Sequence, residues 1–158
     1  MKRILTLWLA LGALYVTIEV LWRGYTHPSM FVVGGICGVL VGLINQYPRF
    51  YRAPIAVQSV IGAVLVLIVE LVSGLILNVW LGLNVWDYSG QFGNVLGQIC
   101  LQYAVLWVLL MPFAIWAEDT GRWLIHSWDK LLGKAAGPPP IYPPYTLRRI
   151  YTDFFTGK

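Results

Sequence analysis

The chain has 158 residues, a length that suits one domain, yet 58% of them are hydrophobic and only 11% are charged, against about 25% charged in a typical soluble domain. Mean hydropathy is +0.69. These proportions exclude an ordinary soluble domain and indicate an integral membrane protein, with its eight Trp and nine Tyr suited to the two membrane interfaces. The net charge of +4 comes from basic residues scattered between apolar segments, which bears on membrane orientation and argues against nucleic-acid binding.

The first apolar run, about 4–22, follows Lys2 and Arg3 and so imitates a signal peptide. It continues to Trp22 with no small-x-small cleavage site behind it, so a retained first span is expected. Glu19 and Arg23 lie four apart near its end, a natural ion-pair spacing, and His27 follows in the next loop. A second span, about 29–47, carries Gly34, Gly38 and Gly42. Small residues at this spacing make a smooth stripe for close helix packing inside the bundle.

The third segment, about 54–81, exceeds the roughly 20 residues one crossing needs. Either it tilts strongly, or it ends near Asn78 and continues as an interfacial turn. It places Glu70 beyond the midplane, with Asn78 two turns further along the same face. Asp87 and Tyr88 cap it in the following loop. A fourth span, about 94–117, would bring Asn94, Gln98 and Gln102 down one face, and Pro112 should kink it. Proline or glycine lies near most of the boundaries. Cys37 and Cys100 each fall inside an apolar run and read as small buried apolar residues, not as a disulfide framework.

Residues 118–134 set Leu124, Trp128, Leu131 and Leu132 on one helical face, the pattern of an amphipathic helix on the membrane surface. A cap packed under the bundle fits nearly as well. The tail, 135–158, contains "GPPPIYPPY", whose prolines favour an extended connector. The predicted fold is therefore all-α: a polytopic four-helix transmembrane bundle with a C-terminal interfacial helix. Of the eleven Lys and Arg, ten fall on one side of such a bundle and only Arg23 on the other. The expected location is the cell membrane, multi-pass, with the N- and C-termini cytoplasmic.

An ionisable group in hydrocarbon costs several kcal/mol (~2.5–3.5 on insertion scales) unless paired or hydrated. In this orientation Glu19, Arg23, His27, Glu70, Asn78, Asp87, Tyr88, Asn94 and Gln98 gather in the non-cytoplasmic half, whereas the inner half offers Asn45, Gln46 and Gln58. The nine residues are read as the lining of a polar, substrate-binding cleft, with helix-joining hydrogen bonds as the plainer alternative. Glu70 has no basic neighbour in its own helix, so it must be protonated, hydrated or reached from Arg23. Acid–base chemistry, if the chain carries any, would fall to Glu70, His27 or Asp87. His27 and His126 lie on opposite sides of the membrane, which argues against a metal site. The chain has no Gly-rich phosphate loop with its lysine, and no cofactor is expected.

The stretches "WRGYTHPSM…GG", "VELVSGLILN", "LGLNVWDYS" and "NVLGQIC" together resemble the small multi-span membrane family known as putative ABC-transporter type IV, or CmpB-like, over roughly residues 15–110. The resemblance marks Arg23, Gly24, His27, Ser29, Glu70, Asn78, Trp86, Asp87, Tyr88, Asn94, Gly97 and Cys100 as family-pattern residues and brings no catalytic role with them. It implies a small-solute transport protein or permease-like subunit, with an intramembrane enzyme acting on a lipid or lipid-linked substrate, and a structural or assembly factor, as alternatives. Four spans make a thin pathway, so besides the lipid bilayer the expected partners are further copies or partner membrane subunits.

Overall fold

The computed structural model describes residues 2–134; the proline-rich tail expected over 135–158 lies outside them. The described chain forms helix α1 (Lys2–Arg23), α2 (Pro28–Asn45), a short α3 (Pro48–Tyr51), α4 (Ile55–Gly74) and α5 (Leu101–Leu131), with a π-helical segment, Leu75–Trp80, prolonging α4. Four of these helices are long and apolar enough to cross a membrane. The fold is the expected all-α bundle, and the chain is a multi-pass membrane protein.

Local chemistry sets the helix ends. Gly24 takes the left-handed conformation (φ 81°) just past α1, where a side chain would be strained, and its N–H bonds back to the Val20 carbonyl at 2.8 Å. His27 caps α2, its Nδ1 accepting from the Ser29 N–H, and Pro28 opens the first turn, where a missing N–H costs nothing.

Packing follows an inside-out logic. The buried face of α4 carries Gln58, Ser59, Gly62, Ala63, Val66, Glu70 and Gly74, whereas Val57, Val60, Ile61, Val64, Ile68 and Val72 face outward. In water so large an apolar surface would be untenable; in lipid it meets hydrocarbon, and the polar groups turn inward to find partners. The glycine stripe of α2 packs on α1 as expected. A Cβ added at Gly34 would lie 2.5 Å from Tyr15 Cβ, and one at Gly38 would lie 2.7 Å from Leu11 Cδ1. Gly35, against Trp8, and Gly12 of α1, against Phe31, complete this seam. The third glycine of the stripe, Gly42, instead meets the carboxyl of Glu118 on α5. Cys37 and Cys100 are free and buried.

Of the two readings left open for the third segment, the structure follows the longer one: its helix continues in π form through Trp80. Two stretches depart from the sequence reading. The fourth helix begins at Leu101 and not at Asn94. Gly93, Leu96 and Gly97 all have positive φ (65°, 53° and 68°), a conformation no right-handed helix accommodates, so Asn94 and Gln98 belong to a folded loop and do not share a helical face with Gln102. Finally, residues 118–131 form no separate helix; they continue α5 without a break.

Candidate functional site

The 81–100 loop is built from the polar residues the sequence analysis singled out. The π-helical turn widens the end of α4 and presents the Asn78 side chain to the loop: its Oδ1 accepts from the Val85 N–H at 2.7 Å, and its Nδ2 donates to Gln98 Oε1 at 2.9 Å. Buried Trp86 donates its indole N–H to the Gln98 carbonyl at 2.9 Å. Asp87 Oδ1 accepts from both the Ser89 N–H (2.8 Å) and hydroxyl (2.6 Å), and these bonds hold its carboxyl below the usual range. Asn94 donates to the Ser89 and Gln91 carbonyls and accepts from the Gly97 N–H. The Tyr88 N–H closes on the Gly97 carbonyl at 2.8 Å. The polar side chains of "GLNVWDYS" and "NVLGQIC" thus satisfy backbone groups of a compact loop.

That loop holds Tyr88 over α4. The Tyr88 hydroxyl points at Glu70 Oε1 (3.4 Å) and the Trp107 indole N–H donates to Glu70 Oε2 at 3.1 Å. Both donors are neutral. Burial, with the nearby Glu70 and Tyr103, raises the Tyr88 phenol above its ordinary range, so it stays a protonated donor. Arg23 does not reach Glu70: it pairs with Glu19, which also accepts from the Thr26 hydroxyl. Among the described residues the ion pairs are Arg23 with Glu19, Arg122 with Glu118, and Arg3 with Asp129. Glu70, 7% exposed, has no cationic partner among them.

Glu19, Arg23, Glu70 and Tyr88 line one hollow of about 420 Å³ between α1, α4 and α5. Its remaining wall is aromatic and aliphatic, including Tyr15 stacked on Trp107 (ring centres 6.0 Å apart) and Tyr103 stacked on Tyr88 (4.7 Å). The other predicted lining residues, His27, Asn78, Asp87, Asn94 and Gln98, do not line it. His27 is occupied at the α2 cap, with Nδ1 2.7 Å from the Ser29 hydroxyl, and the rest are bonded within the loop. Of the three acid–base candidates, only Glu70 reaches the hollow.

The family model described as Putative ABC-transporter type IV matches residues 7–130. The chain belongs to this family. Comparisons with curated proteins and with solved structures give no match. For this type IV family member, the match spans both the hollow and the loop that closes over it.

Sequence reasoning passed over Trp107, Tyr15 and Tyr103. Trp107 carried a readable signal: an indole N–H about two turns inside a span, away from the interfacial belt, demands an acceptor. It also passed over the far end of the bundle, where Glu118 and Asp119, assigned to a surface helix, are 0% and 4% exposed. Besides Arg122 on the same helix, they meet Asn45 and Gly42 of α2, a proximity no local pattern reveals.

Proposed function

We propose that this protein is a small-solute transport protein or permease-like subunit in which the hollow beside Glu70 binds a cationic solute from the non-cytoplasmic side, with both termini cytoplasmic. The supporting observation is Glu70: a buried carboxyl in a space of molecular size, hydrogen-bonded by two neutral donors and paired with no cation among the described residues. A solute bearing one positive charge supplies the missing partner, and the Tyr15, Tyr88, Tyr103 and Trp107 rings suit the apolar body of an organic cation. Arg23, held by Glu19, would stand at the rim and repel a second charge. The family membership supports transport as the class of activity. A pathway through four spans requires a second copy or a partner subunit.

The test is flux of tetraethylammonium into proteoliposomes with wild-type protein and with Glu70→Gln. Saturable uptake that disappears in the variant is the expected result. Uptake unchanged in Glu70→Gln removes Glu70 from the pathway, and no uptake of this cation or of a small-amine panel rejects a cationic solute.

A further inference from the structure

At the opposite end of the bundle from Glu70, α5 carries two consecutive acids, Glu118 and Asp119, which are 0% and 4% exposed. Carboxylates withdrawn this far from water are tolerated only when paired and hydrogen-bonded. Arg122, one turn on, pairs with Glu118 through Oε1. Asn45, at the end of α2 and 1% exposed, donates its Nδ2 to Asp119 Oδ1 at 2.7 Å. The Asp119 carboxyl lies against that of Glu118. Three oxygens remain buried and unpartnered: Glu118 Oε2, Asp119 Oδ2 and Asn45 Oδ1. Each is an acceptor, on residues from two different helices.

Two carboxylates against one guanidinium leave one uncompensated negative charge. The elements packed around the pair do not supply its complement. α2 presents Asn45 and the backbone at Gly42. α4, which also packs on α5, buries Gln58 and Ser59 in its first turns, and neither carries a positive charge. α1 packs Leu7 on Gly121, and its Arg3 pairs with Asp129, further along α5. On α5 itself, His126 lies two turns beyond Glu118 and faces a separate surface hollow with Trp123 and Lys130.

We infer that Glu118, Asp119 and Asn45 form a binding site for one monovalent inorganic cation, a proton shared between the two carboxyls or a sodium ion held among the three free oxygens. A single positive charge completes the charge balance and gives the acceptor-only oxygens the partner they lack. A divalent ion would overshoot that balance. The site is separate from the Glu70 hollow and does not depend on what binds there. A protein that moves a solute across a membrane gains a driving ion from such a site.

The experiment uses the full chain in lipid nanodiscs. In one arm, at pH 8, sodium is titrated against choline at constant ionic strength while the thermal unfolding midpoint is followed. In the other, sodium-free, the pH is lowered from 8 to 5 while the infrared band of protonated carboxyl is recorded. A sodium-dependent rise of the midpoint assigns the site to sodium; a carboxyl band that grows with falling pH assigns it to the proton. In either case the response is lost in Asp119→Asn, which removes the surplus charge but keeps the acceptor for Asn45. Asn45→Ala, which leaves both carboxyls in place, should shift the same titration by about tenfold or more, the worth of one hydrogen bond to a charged group. It also serves if Asp119→Asn does not fold. Absence of both responses in the wild type, or responses unchanged in both variants, overturns the inference.

Discussion

The contact between α1 and α2 offers the most direct test of how the hollow is held in shape. Gly34→Ala would place a Cβ 2.5 Å from both Cβ and Cγ of Tyr15, where carbon atoms favour about 3.5–4.0 Å. A χ1 rotation could move Cγ, but Cβ is fixed to the backbone and no rotamer change relieves its contact, so the helices must separate by roughly 1 Å. Overpacking of this kind costs about 1–3 kcal/mol. The shift also carries the Tyr15 ring, which stacks on Trp107 and lines the hollow, away from the indole that donates to Glu70. Gly90→Ala is the control, because its Cβ would meet nothing within 4 Å and surface changes stay within about 0.5 kcal/mol. Reversible unfolding in mixed micelles, followed by Trp fluorescence, should separate the two variants by at least about 0.5 kcal/mol. Equal stability would mean that α1 and α2 do not meet at this seam.

Other consequences follow from the loop and the hollow. Asn78→Ala strips the Val85 N–H of its acceptor and Gln98 Oε1 of a donor, so the same unfolding assay should register a loss of about 1–3 kcal/mol; an unchanged midpoint would dissociate Asn78 from the loop. Asp87, whose pKa is depressed by the Ser89 hydroxyl and N–H, contributes stability that is present above its unfolded value of about 3.9 and is lost as pH falls through the lower folded value. Protection of the Ser89 amide, as exchange relative to its intrinsic rate at each pH, should therefore fall in acid, and Ser89→Ala should move the midpoint of that fall upward; protection that does not change with pH in this range would contradict the pairing. Trp107→Phe keeps an aromatic wall but removes the donor to Glu70 Oε2. Its unfolding free energy should fall by about 1.5–3 kcal/mol if Glu70 is ionised, as expected for a hydrogen bond to a charged group, and a value near zero would show Glu70 neutral or otherwise satisfied.

Composition and periodicity were enough to specify a membrane bundle, because hydrocarbon leaves a backbone few choices and apolar length records each crossing. The Glu19–Arg23 pair was equally legible, since four residues along a helix bring two side chains together whatever surrounds them. The glycine stripe of α2 announced a close helix neighbour but could not say that α1 meets Gly34 and Gly38 while Glu118 meets Gly42. Beyond such local spacings the chain gave no answer of its own. Asn94 and Gln98 have a helical spacing, yet left-handed backbone at Leu96 and Gly97 folds them into a loop that serves Asn78 and Trp86. Glu118 and Asp119 look like members of a solvated face, yet Asn45, more than seventy residues earlier, lies against them. Sequence records the cost of placing a polar group in a membrane; which group relieves that cost is settled by helices packing across the fold.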